Sequence, residues 1–132
     1  MAGDAKVVFV FGSNLAGRHG AGAALWAKRF HGAVYGRGQG PEGHSYAIPT
    51  KDWDVYTPLS LERIKVNVED FKDYARRHPG KTFQVTRIAC GRAGYKDAQI
   101  APMFLGAPIN CKLPIEWKKI LGDGRAPEGF QT

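Results

Sequence analysis

Three observations predict an α/β fold with a largely parallel sheet. Apolar runs suited to buried strands alternate with helical stretches along the chain. Two of those runs, KVVFVF (6–11) and TFQVTRIA (82–89), lead straight into glycine-rich loops. One long stretch, 60–78, carries an apolar stripe with helical spacing. Alternation of this kind favours a parallel sheet flanked by helices. Such sheets bind ligands beyond the carboxyl ends of their strands, and both glycine-rich loops leave ends of that kind.

The elements follow in order. KVVFVF is almost continuously apolar and rich in Val and Phe, which suits a strand buried on both faces. Residues 21–31, AGAALWAKRFH, read as a helix with its small residues and Leu25 inward, and Gly32 is placed to stop it. Residues 32–45 hold five glycines and a proline and read as a loop before a short strand, Tyr46–Ile48. In 60–78, Leu61, Ile64, Val68, Phe71 and Ala75 recur at three and four residues; Ser60 is an N-cap, and Pro79-Gly80 ends the helix. Thr82–Ala89 is the next strand. Asp97 is placed to cap a short helix limited by Pro102. Residues 109–113 form a last strand and 114–121 a last short helix containing Trp117. Residues 119–132 make a loosely ordered end. No repeat or linker divides the chain, so 1–132 reads as one domain.

The chain has 132 residues, enough for one core. No apolar run reaches the roughly 18–20 residues of a membrane span, and the N-terminal apolar run is too short for a signal peptide. Two cysteines, Cys90 and Cys111, make no disulfide framework, so a reduced, cytoplasmic setting is expected. Nineteen basic residues against twelve acidic ones give a net charge of +7, which favours anionic partners or serves as solubilising surface charge. The basic residues form no block, which argues against a dedicated nucleic-acid tail.

Three segments hold the candidate chemistry. In FGSNLAGRHGAGAA (11–24), glycines between a strand and a helix let backbone amides approach an anion at the helix start; the alternative is a turn with tight packing. The pattern is neither a Walker loop nor a dinucleotide fingerprint. CGRAGY (90–95) is a second such exit, with Arg92 to pair with phosphate and Tyr95 to stack on a sugar or base. In YAIPTKDWD (46–54), Lys51 is a charge contact, a nucleophile or a solvated surface lysine. Cys90 is a nucleophile candidate with no evident partner, and a small buried hydrophobe on the other reading. His19, His31, His44 and His78 lie in separate segments without metal-ligand spacing, so no metal and no cofactor is expected.

Together, HGAGAALWAKRF, YAIPTK and TRIACGRAGY resemble the macrodomain family, in particular its compact branch that includes the terminal ADP-ribose protein glycohydrolases. The agreement in order runs from about Val7 to Phe104. The sequence also resembles a phage and bacterial family described as phage non-structural proteins, on FGSNLAGRHGAGAA, IPTKD, the Cys-Gly loop and IAPMF…AP…NC. The resemblance implies a three-layer α/β/α architecture with a largely parallel mixed sheet, in a bacterial or phage-infected cell. It implies binding of ADP-ribose or a related nucleotide by Gly12, Ser13, Asn14, His19, Gly20, Ala21, Gly22, Thr50, Cys90, Gly91, Arg92, Ala93, Gly94 and Tyr95. Lys51 matches the attacking lysine of the glycohydrolases, while Ala93 stands where they carry an aspartate, so hydrolysis is left open. Two other readings stand beside this one. The first is a basic nucleic-acid-binding accessory protein, from the charge, Arg37 and the aromatics Tyr35, Trp53 and Tyr56. The second is a partner-binding protein whose loops merely turn.

Overall fold

The computed structural model describes residues 6–132. Residues 1–5, part of the stretch read as lacking a signal peptide and of the 1–132 domain, lie outside them. The strands are β1 (Val7–Asn14), β2 (Gly40–Glu42), β3 (Ser45–Lys51), β4 (Thr82–Val85) and β5 (Cys111–Lys112). The helices are α1 (Gly22–Phe30), α2 (Leu61–Arg76), α3 (Asp97–Ile100) and α4 (Lys118–Leu121), with short 3-10 turns from Ala101 onward. The sheet order is β2-β3-β1-β4-β5. β1, β3, β4 and β5 run parallel, and only β2 is antiparallel. The result is an α/β fold with a mixed, largely parallel sheet.

The period of two along β1 sorts its side chains to opposite faces. Val8 and Val10 join the larger apolar cluster with Tyr46, Ile48, Phe83 and Val85; Phe9 and Phe11 join a smaller one with Ala24, Ala27, Ala33 and Ala47. The larger cluster is closed by α2, whose Ile64, Val68, Phe71 and Ala75 are fully buried. Each fully buried aliphatic or phenyl side chain there contributes roughly 1.5–3 kcal/mol. Ser60 caps α2 as expected, its Oγ accepting from Arg63 N at 3.2 Å. Helix α1 presents Ala24 and Ala27 to the sheet; Leu25, expected inward, is half-buried, and Trp26 and Phe30 are exposed.

Several boundaries depart from expectation. The loop read over 32–45 contains β2, because Gly40-Pro41-Glu42 pairs with β3 despite lacking strand-forming residues. β4 stops at Val85 instead of Ala89, because the Thr86 amide and Oγ1 both turn onto Val10 O, at 3.0 and 2.8 Å. Asp97 does not cap α3; it is the first helical residue after Lys96. The terminal segment expected to be loose is pinned. Phe130 is buried and bridges Leu113, Gln131 Nε2 donates to Val85 O and Lys112 O, and the Arg125 guanidinium donates to the carbonyls of Ala107, Pro108, Cys111 and Gly129. Among the described residues, no helix is long and apolar enough to cross a membrane.

Candidate ligand site

The chain passes from β1 to β3 on one side, then crosses by α2 to β4 on the other. The order of the parallel strands therefore reverses at β1 and β4, and crevices form at the carboxyl ends of strands beside such a switch. The register shows how this one opens. β1 stays paired with β3 as far as Asn14 opposite Lys51, with a slip between Ser13 and Asn14. On its other side the pairing ends at Val10 opposite Val85. The segment after β4 leaves the sheet while β1 continues, and a cleft of about 590 Å³ lies between.

Its floor is the end of β1. A Cβ on Gly12 would lie 3.4 Å from Thr50 Oγ1 and 3.5 Å from Ala89 N, so neighbours on both sides close in on this glycine. Thr50 Oγ1 donates to Ser13 O at 3.2 Å. One wall is the start of α1, Gly20 to Ala24; Ala21, at the N-cap position, has no side-chain oxygen to cap the helix. The other wall is Thr86–Ala89 with Gly91, Arg92 and Ala93. The walls converge: Arg92 Nε lies 3.7 Å from the position a Cβ on Gly22 would take. Ala89 holds a φ of 62°, a left-handed conformation unfavourable for a residue with a Cβ.

The β1–α1 loop is braced from beneath. The Asn14 side chain holds both backbone groups of Arg18, accepting from Arg18 N at 2.9 Å and donating to Arg18 O at 3.0 Å. Segment 34–38 supports it through Gly36 N to Gly17 O at 2.8 Å and Ser13 Oγ to Gly38 O. His19 Nε2 lies 3.1 Å from Arg37 O. A carbonyl only accepts, so Nε2 carries the proton. The ring is fully buried, packs edge-on against Phe11, and is held below the usual histidine range by burial, which outweighs its backbone partner. Arg37 Nε sits 2.7 Å from the buried Glu42 Oε1, close enough to pair in charge but not aligned as a hydrogen bond.

The charge on the cleft is one-sided. Among the described residues, Arg18, Lys51, Arg87 and Arg92 line it and no carboxylate does. Arg87 has a partner outside, Asp97, at 3.0 Å from its Nε. Lys51 is half-buried, and its ammonium is lowered from the ordinary lysine range, first by desolvation and then by Arg92. Among the described residues, no group of three or more His, Cys, Asp or Glu could hold a metal ion.

The structure brings together Gly12, Ser13, Asn14, Gly20, Ala21, Gly22, Thr50, Lys51, Gly91, Arg92 and Ala93. It leaves four expected residues out of the lining. His19 lies beneath the loop as a brace. Tyr95 turns away from the cleft: its hydroxyl donates to Leu59 O at 2.6 Å and its ring packs on the core. Gly94, with φ of 81°, makes the turn back to Gly91 O. The Cys90 thiol is half-buried against the core and pushed up to about 12 by burial and then by Asp97, which disfavours the thiolate. Asp97 itself is held at about 2, chiefly by Arg87, and also accepts from Trp117 Nε1 at 2.7 Å. Tyr35, Val55, Tyr56, Thr86 and Arg87 also line the cleft. The sequence points to Tyr35 and Tyr56 only as aromatics for nucleic acid and to Thr86 and Arg87 only as part of TRIACGRAGY, and no periodicity or motif marks Val55. Comparison of the chain with protein-family models, curated proteins and solved structures returned no match.

Proposed function

We propose that the cleft binds a phosphate-bearing nucleotide of the ADP-ribose class, within a macrodomain-like three-layer frame. One observation carries this reading: the cleft collects Lys51, Arg92 and Arg18 beside an uncapped helix start and, among the described residues, offers them no carboxylate. Like charges gathered in a partly desolvated cleft are unfavourable unless an anion joins them. The helix start adds unpaired amides and the positive end of its dipole. In this reading the amides around Gly20–Gly22 and Gly91–Ala93 hold a diphosphate, and Lys51 sits by the distal ribose.

Binding is favoured over turnover. Lys51, with its lowered pKa, is the candidate nucleophile, but among the described residues the cleft has no acid or histidine lining it to move a proton. Calorimetric titration with ADP-ribose tests the proposal, using wild type, Gly22→Glu and Gly91→Glu. Gly22→Glu would place a carboxylate beside Arg92, at a φ of 57° that costs a residue with a Cβ about 1–2 kcal/mol. Both variants are expected to lose binding while remaining folded; two folded variants that bind like wild type would remove the site. Hydrolysis of an ADP-ribosyl ester by wild type but not by Lys51→Ala would turn the reading to a hydrolase.

A further inference from the structure

We infer that the nucleotide entering this cleft is carried on a single-stranded nucleic acid, whose adjoining bases stack on an aromatic rim made by Tyr35, Trp53 and Tyr56. The inference rests on the nucleotide reading above. Tyr56 is 80% exposed, Trp53 68% and Tyr35 55%, and none belongs to either apolar cluster. Two of them, Tyr35 and Tyr56, line the cleft itself together with Arg18, Lys51, Arg87 and Arg92, so the rim adjoins its cationic lining.

Trp53 and Tyr56 are displayed on a built turn, 52–57. Asp52 Oδ1 accepts from Trp53 N at 2.7 Å, and Asp54 Oδ1 accepts from Tyr56 N and Thr57 N at 2.9 and 2.8 Å. The turn closes through Asp52 N to Thr57 O at 2.8 Å. The two carboxylates are thereby engaged with the turn's own amides. At the other jaw, Lys28 Nζ lies 5.1 Å over the Tyr35 ring, with the exposed Arg29 next to it in sequence.

Charge complementarity selects the occupant. A chain of net charge +7 with four cations lining one cleft suits a polyanion. Exposed aromatic rings beside those cations suit bases whose faces are free, which a duplex hides and a single strand offers. The strand's terminal nucleotide then occupies the cleft while the next bases cross Tyr56 and Trp53.

The test is fluorescence anisotropy with a labelled oligothymidine of about 12 nucleotides, a length spanning one such site. Wild type, Tyr56→Ala and Trp53→Ala are compared, and ADP-ribose affinity is measured on each by calorimetry. Wild type is expected to bind the strand with log affinity falling linearly in log salt. Each alanine variant is expected to weaken strand binding roughly 5- to 100-fold. Trp53→Ala, outside the cleft lining, should keep its ADP-ribose affinity, and ADP-ribose should displace the strand from wild type. Strand binding that is absent, or that survives both substitutions, overturns the inference and leaves the nucleotide reading intact wherever ADP-ribose still binds. A duplex or an acidic peptide bound as tightly as the single strand also overturns it. Aromatic-dependent strand binding without any ADP-ribose affinity supports the rim and removes ADP-ribose as the cleft's ligand.

Discussion

Replacing Gly17 by alanine is a sharp test of how the anion loop is held. Gly17 has φ of 69°, and an added Cβ would lie 2.3 Å from Arg37 N and 2.4 Å from Gly36 C. Both are backbone atoms, so no side chain can swing aside. The left-handed conformation costs an alanine about 1–2 kcal/mol. Forcing the 34–38 segment away adds about 1–3 kcal/mol, in the range of other overpacked sites. The stiffer unfolded chain returns about 0.4–1 kcal/mol. The balance is a destabilisation of roughly 1–5 kcal/mol, centred near 3. For a chain of this size that is a melting-temperature drop of about 10 °C, taking ~3–5 °C per kcal/mol. Gly20 is the internal control: it shares the loop, its φ is not positive, and nothing lies within 4 Å of its added Cβ. Gly20→Ala is expected to melt at or slightly above wild type. Differential scanning calorimetry on the three proteins, with ADP-ribose titration at a temperature where all are folded, decides the matter. Gly17→Ala should also bind more weakly, because the clash displaces the loop that carries the amides. A Gly17→Ala protein that melts and binds like wild type would refute the brace.

Three more outcomes follow from the same geometry. Ligand binding should bring Lys51 an anionic neighbour and raise its pKa. Affinity for ADP-ribose is therefore full while Lys51 is protonated and falls as pH rises through its folded pKa, below the ordinary 10.5; calorimetry across pH should show this decline in wild type and not in Lys51→Met. The neutral, buried His19 has a folded pKa below 6.5, so between that value and 6.5 the unfolded chain holds the extra proton. Stability is full above about pH 6.5 and drops as pH falls below it; thermal melts should show the drop shrinking in His19→Gln, with the remainder assigned to His31, which shifts in the same direction through burial. Arg125→Ala strands four carbonyls that the guanidinium now satisfies and should lower the melting temperature, at a cost of about 2–4 kcal/mol; an unchanged melt would mean that these four bonds do not stabilise the terminal segment.

The parts of the fold that were legible are those whose signal is local. The α2 stripe, its Ser60 cap and the apolar cores of β1 and β4 are periodic patterns in neighbouring residues, and they recur in the structure. The parts that were not legible depend on partners far along the chain. β2 is a strand only because β3 lies beside it. Thr86–Ala89 has strand-forming residues, yet Thr86 is drawn onto Val10 O, a contact 76 residues distant in sequence, and the strand ends there. The end of the chain reads as loose because GDGRAPEGFQT has little apolar pattern; Arg125, Phe130 and Gln131 fix it through carbonyls and a bridge that composition does not announce.

The candidate site divides along the same line. Lys51, Arg92 and the two glycine exits were visible because strand ends and glycines are sequence features. What sequence hides is which glycine faces a ligand and which faces the protein. Gly17 and Gly38 admit close backbone approach from within: a Cβ on Gly38 would fall 2.1 Å from Asn14 O. Gly20 and Gly91 have open space where a Cβ would go. The first pair bears on folding of the loop and the second on what the loop can touch. The same division explains His19 and Tyr95, which carry polar groups at the right positions in sequence but spend them on Arg37 O and Leu59 O. If the cleft is an anion site, substitutions at Gly20 and Gly91 should change affinity with little change in melting temperature, and those at Gly17 and Gly38 should change both. Coupled losses at all four positions would mean that the loops are only structural turns.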